Sequence, residues 1–173
     1  MIANPNDSQA IPTPTPAQPG DLKIVIASDH AGYELKIGIL PYLTKLGYQV
    51  TDLGADTDEV PSDYPDFAAK VAAKIHSGEA ERGILVCGSG IGVSIAANKI
   101  KGIYAGVCHD TYSAHQCVEH DGANVICIGS RVIGIELARE VVRAFLNARF
   151  TGEERHVRRT NKIKDLEAGK AIL

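Results

Sequence analysis

The chain has 173 residues, 45% of them hydrophobic and 23% charged, which suits one globular domain of ordinary size. Its net charge of -3 and its lack of tryptophan argue against a nucleic-acid binder built on a basic field or an aromatic stacking platform. No apolar run is long enough to span a bilayer, and the first residues lack a basic-then-apolar leader pattern. A cytoplasmic protein without membrane or nucleic-acid partners is therefore expected.

The first twenty residues, MIANPNDSQAIPTPTPAQPG, hold five of the eight prolines. They read as a disordered Pro-rich tail, with a single domain expected over 21–173. From there short apolar runs alternate with helical patterns. Lys23–Ser28 reads as a buried strand, Leu35–Leu46 as a helix stopped at Gly47, and Gln49–Leu53 as a second strand. Pro65–His76 reads as a helix capped by Ser62 or Asp63 and stopped at Gly78. Gly83–Cys87 is a third strand, followed by a helix over Val93–Ile100. Tyr104–Cys108 and Asn124–Ile128 are strands four and five, separated by a helix at Thr111–Glu119. A long helix at Gly134–Ala148 and a basic C-terminal helix over Arg155–Ala168 complete the chain. Short apolar strands alternating with helices imply an α/β fold with a five-stranded parallel sheet covered on both faces. Ligands of such sheets bind beyond the carboxyl ends of the strands, at a switch point in strand order. If the first strand neighbours the third, the polar groups that follow each of them share one crevice.

Those groups are Asp29-His30 after the first strand and Cys87 with Gly88-Ser89-Gly90-Ile91-Gly92 after the third. Three glycines in five residues between strand and helix suit a turn whose backbone N–H groups can meet an anion. The run is neither a G-x-G-x-x-G fingerprint, because Val93 stands at the third glycine, nor a P-loop nor a G-x-S-x-G elbow. The alternative is a tight turn with no ligand. Cys87 is either a core thiol, as strand cysteines commonly are, or a nucleophile or general base at a loop that favours a thiolate. Asp29 either caps the helix that follows or faces the crevice beside His30.

Four cysteines occur, Cys87, Cys108, Cys117 and Cys127, with no C-x-x-C pair. Cys117 and His120 form a lone C-x-x-H without a second half, so the cysteines read as reduced thiols and neither a metal nor an organic cofactor is expected. His120, before Asp121-Gly122, either meets its helix dipole or donates a proton. Arg155 and Arg159 share a helical face beside His156, which is either a solvated basic face or a phosphate clamp.

Five segments together carry a resemblance: SDHAGYELK at 28–36, SDYP at 62–65, ILVCGSGIGVSIAANK at 84–99, HDGANVICIGSRVIG at 120–134 and ERHVRR at 154–159. They resemble the ribose-5-phosphate isomerase B family, in the sugar-phosphate isomerase group that also holds galactose-6-phosphate and allose-6-phosphate isomerases. The resemblance runs from about Leu22 to the C-terminal helix and implies a Rossmann-like, three-layer α/β/α sandwich. It implies an aldose–ketose isomerase that interconverts ribose 5-phosphate and ribulose 5-phosphate through an enediolate, or acts likewise on a six-carbon sugar phosphate. Cys87 matches the base that moves the proton between C1 and C2, and His120 the residue that opens the furanose ring. Asp29 and His30 match a substrate-contacting pair, with Asp29 assisting ring opening, and Tyr64 lines the pocket. Gly88, Ser89, Gly90, Ile91 and Gly92 match the loop that holds the enediolate oxygens, and Arg131, Arg155 and Arg159 the phosphate-binding arginines, with the adjacent His156 a further substrate-binding candidate. Asp121 stands where the family often has Asn, and the TGEE linker before Arg155 is a residue longer than the common form. Members without the cysteine use a glutamate in the loop, at the place that Val93 fills here. The family's site forms between subunits, so a homodimer, or a tetramer, is implied.

Two other readings fit the same residues: a cysteine hydrolase with Cys87 as nucleophile and His120 as base, and a non-catalytic phosphosugar-binding module.

Overall fold

Strand residues that are apolar on both faces need cover on both faces, and the computed structural model supplies it. It describes residues 22–171, so the Pro-rich tail expected at 1–20 lies outside the described residues. Strands β1 (Lys23–Ser28), β2 (Gln49–Asp52), β3 (Arg82–Cys87), β4 (Ala105–Val107) and β5 (Val125–Gly129) form one parallel sheet in the order β2-β1-β3-β5-β4. The helices are α1 (Tyr33–Lys45), α2 (Tyr64–His76), α3 (Ile91–Ala97), α4 (Thr111–Glu119), α5 (Ile135–Asn147) and α6 (Glu154–Glu167). The result is the expected Rossmann-like α/β/α sandwich with five parallel strands.

Side-chain alternation along the strands sorts the core into two layers. Ile24, Ile26, Ile84, Val86, Ile126 and Ile128 pack against α1, α4 and α5 through Leu35, Ile39, Val118, Val141 and Phe145. The alternate residues, Val25, Ala27, Leu85, Cys87, Val125 and Cys127, pack against α2 and α3 through Phe67, Val71, Val93 and Ala97. Cys87 is thus on the α2/α3 side by strand parity, and it is the last residue of its strand.

The chain leaves β1 toward β2 on one side and returns to β3 on the other, which makes the β1/β3 pair the switch point. Asp29 and Cys87 therefore come to one crevice. An ion pair between a buried lysine and an exposed carboxylate fixes the loop after β2: Lys36 Nζ, on α1, lies 2.6 Å from Asp52 Oδ2 and donates to the Ala55 carbonyl at 2.8 Å.

Helices α1 and α3 each begin two residues before the expected start, at Tyr33 and Ile91, and the other bounds shift by at most one residue except at the end of α3. The helix after β3 stops at Ala97, three residues before Ile100, because the Asn98 amide turns the chain: it donates to Ser94 O at 3.0 Å and Ala105 O at 2.8 Å and accepts from Ala105 N–H. Neither candidate cap of α2 acts as one. Asp63 holds the N-cap position without a side-chain hydrogen bond, and the Ser62 hydroxyl is taken by His30. No helix among the described residues is long and apolar enough to cross a membrane.

Candidate active site

The turn after β3 is built around the Cys87 sulfur. Gly90 sits in the left-handed region at φ 79°, where a side chain would strain the backbone, and this conformation directs its N–H at Cys87 Sγ, 3.1 Å away. The loop is held from the opposite side by the turn that follows β5. Ser130 N–H donates to Cys87 O at 2.9 Å and Arg131 N–H to Gly88 O at 3.0 Å. Ser130 Oγ reaches across to Ala31 O at 2.6 Å, tying the third strand's loop to the first strand's. The Gly129 N–H is itself received by His109 Nε2 at 2.9 Å, and burial holds the His109 imidazole below its ordinary value, as suits a neutral acceptor.

Asp29 fills both of the roles open to it. It caps the short 3-10 turn His30–Gly32, accepting from Gly32 N–H at Oδ1, and it is buried at the wall of the cleft. The turn lies so close to β3 that a Cβ on Gly32 would stand 2.4 Å from the Val86 carbonyl oxygen, so glycine alone fits there. His30 is oriented by Ser62, whose hydroxyl receives the His30 N–H at 2.9 Å and whose N–H donates to His30 Nδ1 at 3.1 Å. The same Nδ1 lies 3.2 Å from the Ser62 carbonyl oxygen, so Ser62 offers this nitrogen both a donor and an acceptor.

Tyr64, at the first turn of α2, lies over Gly92, and the Arg131 guanidinium lies against Gly88. Together these groups line a cleft of about 400 Å³: Asp29, His30, Tyr64, Cys87, Gly88, Ser89, Gly92 and Arg131, with Ala31 and Val132. Such a volume is in the range of small-molecule sites. Gly90 and Ile91 belong to the same loop, but the Gly90 N–H is directed at the sulfur and the Ile91 N–H at Ser89 Oγ, 3.2 Å away.

The other expected site residues lie elsewhere. Helix α4 begins at the carboxyl edge of the sheet, after β4, and runs back against the strands, so its last residues come to the amino edge near the start of β5. His120, the C-cap of α4, is therefore at the far end of the strands from Cys87. There its Nδ1 is held by the Gln116 side-chain amide at 3.1 Å, and its Nε2 lies 3.6 Å from Glu119 Oε2. Its ring stacks on that of His156, from α6, with centroids 4.2 Å apart. His156 is buried, while Asp121, Arg155 and Arg159 around it are exposed. One chain thus presents two separate polar clusters, a thiol–carboxylate cleft at the carboxyl edge and a histidine–arginine cluster at the amino edge. A nucleophile–base pair of Cys87 and His120 is not formed within one chain.

Ser62, expected only as a helix cap, is a positioning group, and so are His109, Gln116 and Ser130, for which the sequence raises no expectation. Ser62 and Ser130 sit inside quoted motifs, SDYP and GSR, while His109 and Gln116 carry no local signal. Among the described residues no three His, Cys, Asp or Glu side chains gather as a metal site.

Comparisons with known proteins place the chain in a family. A family described as Ribose/Galactose Isomerase matches residues 24–163. Ribose-5-phosphate isomerase B of Escherichia coli is 44% identical over 145 residues, covering 84% of this chain and 96% of the relative. A D-erythrulose-4-phosphate isomerase of Pectobacterium atrosepticum is 49% identical over 132 residues, 76% of this chain and 86% of the relative. Among solved structures, that of Clostridium thermocellum ribose-5-phosphate isomerase B superposes with a TM-score of 0.83 at 48% identity, covering 86% of this chain and 99% of the other.

Proposed function

The chain belongs to the ribose/galactose isomerase family and is a sugar-phosphate isomerase of that family; within it, we propose that this protein interconverts ribose 5-phosphate and ribulose 5-phosphate. The observation that carries the reading is the cleft itself, where Cys87 Sγ stands at the mouth of β3 with Asp29, Tyr64 and Arg131 around it. An aldose–ketose interchange must remove a weakly acidic C–H proton beside a carbonyl. Cys87 takes the proton from one carbon and returns it to the next. A base so positioned contributes on the order of a hundred- to ten-thousand-fold. The enediolate formed between the two steps is anionic, and donors of the Gly88–Gly92 loop stabilise it more than the ground state.

Ring opening and phosphate binding fall to the histidine–arginine cluster, which makes it and the Cys87 cleft two half-sites. Because His120, Arg155 and Arg159 sit at the amino edge, we propose that a second copy of the chain brings them to the Cys87 cleft of the first. His120 then opens the furanose ring with Asp29 beside the substrate hydroxyls, and Arg155 and Arg159 join Arg131 at the phosphate. Planar guanidinium groups match phosphate geometry and act far from the chemistry, so their binding energy orients the sugar. The exposure of α6, whose one buried residue is His156 while Val157, Ile163 and Leu166 are open, supports a partner on that side.

The relatives differ in the sugar named for them, a pentose phosphate in one and a tetrulose phosphate in another, so chain length of the substrate is the decision to test. Rates with ribose 5-phosphate, D-erythrulose 4-phosphate, allose 6-phosphate and galactose 6-phosphate, read as kcat/KM, decide it. The proposal expects ribose 5-phosphate to lead. Turnover of another of the four with none of ribose 5-phosphate would move the assignment to that sugar.

A further inference from the structure

Two thiols outside the cleft face each other. Cys108 follows the edge strand β4 and Cys117 lies on α4, and their sulfurs are 3.9 Å apart, with the Cys108 S–H donating to Cys117 Sγ. The pair is asymmetric. Cys108 is buried, whereas Cys117 is partly exposed. The bond from Cys108, with the positive charge of Arg82 nearby, holds the Cys117 thiol below its usual range. The same bond, with burial, pushes the Cys108 thiol up. Cys117 is thus the more easily ionised and the more exposed residue of the pair, and Cys108 the buried one. That is the arrangement of an attacking and a resolving thiol.

We propose that Cys108 and Cys117 form a dithiol modification site that a peroxide closes to a disulfide. The Cys117 thiolate attacks one oxygen of hydrogen peroxide, the O–O bond breaks, and a sulfenic acid and hydroxide result. The Cys108 sulfur then attacks Cys117 Sγ, the S–O bond breaks, and the Cys108 proton leaves with the hydroxyl as water. Two thiols are oxidised by two electrons and the peroxide is reduced. A disulfide needs about 2.05 Å between sulfurs, so the two must approach by roughly 2 Å. The bond would join the end of the edge strand to the part of α4 that carries Gln116 and His120.

Peptide mapping of the full-length protein after limiting hydrogen peroxide tests this. Trypsin places Cys108, Cys117 and Cys127 on one peptide, 102–131, apart from Cys87. The expected first product is that peptide short of two hydrogens; cleavage after Tyr112 by chymotrypsin and after Glu119 by a glutamyl protease should leave the pieces with Cys108 and Cys117 joined and the piece with Cys127 free, with dithiothreitol restoring the mass. In Cys108→Ala the same dose should leave Cys117 as a sulfenic acid that dimedone labels. A wild-type protein in which dimedone labels Cys117 while Cys108 stays a free thiol would overturn the proposal. So would a bond from either residue to Cys127 or Cys87, or oxidation of Cys87 with both thiols untouched.

Discussion

The imidazoles of His120 and His156 stack with centroids 4.2 Å apart and 20° between their planes, and neither ring nitrogen of the buried His156 has a hydrogen-bond partner. Burial, then the neighbouring His120 and Arg155, hold the His156 imidazole below its ordinary value. Glu153, 3.9 Å away, opposes this weakly. The folded chain therefore binds this proton less readily than the unfolded chain does. Stability tied to His156 is complete above the ordinary histidine value of about 6.5 and is lost as pH falls from there through the lower folded value. Urea midpoints measured between neutral and acid pH should fall with acid in the wild type and fall less in His156→Phe, which keeps the stack without the titration. Parallel curves for the two proteins would show that His156 carries none of the dependence.

Cys87→Ser and Cys87→Ala separate chemistry from architecture. A serine hydroxyl can still accept from the Gly90 N–H, so the loop keeps its hydrogen bond; alanine removes it, at about 1 kcal/mol of stability. Neither supplies a base at neutral pH. Turnover should drop by roughly a hundredfold or more in both, with phosphosugar binding retained by calorimetric titration. Near-normal turnover in Cys87→Ala would take the proton-transfer role away from this residue.

Gly32→Ala places a methyl group against the Val86 carbonyl, 2.4 Å from its oxygen. The 3-10 turn must then lift from β3, and Asp29 and His30 move with it. We expect a loss of about 1–3 kcal/mol in chemical denaturation and a larger relative loss of turnover. An unchanged midpoint would mean that the turn and the strand part freely.

Complementation tests the shared site. Arg159→Ala alone should weaken phosphosugar binding about ten- to a hundredfold, as the loss of one charge-assisted bond of roughly 1.5–3 kcal/mol. Mixing Arg159→Ala chains with Cys87→Ala chains should restore activity, because one of the two sites in each heterodimer is intact. A random mixture has a ceiling of about a quarter of the wild-type rate. His120→Asn mixed with Cys87→Ala should behave alike. Verified heterodimers without recovery would show that both half-sites serve the same chain.

What the sequence made legible was local. Thr111–Glu119 reads as a helix and Lys23–Ser28 as a strand from the residues within each, and both have the expected bounds. The glycine turn after Cys87 was visible because three glycines in five residues have few other uses. The early stop of α3 was not, because the Asn98 amide that ends it bonds to Ala105, beyond the helix. The same limit hid the Ser62 bond to His30 and the Lys36 bond to Asp52, which join segments far apart in sequence. Most consequential was the separation of Cys87 from His120. Motif spacing is silent on it, and the direction of α4 against the strands decides it.

The strand order has a consequence for synthesis. β4 pairs with β5 and not with β3, although it leaves the ribosome first. A nascent chain that ends at Val107 holds four strands, of which β4 has no neighbour to join and β3 has one edge bare. Only when residues 125–129 emerge can they slide between the two, and the next residues, Ser130 and Arg131, are those that fasten the Cys87 loop. Closing the sheet and fastening the Cys87 loop are therefore one event, and a chain cut short before it has neither.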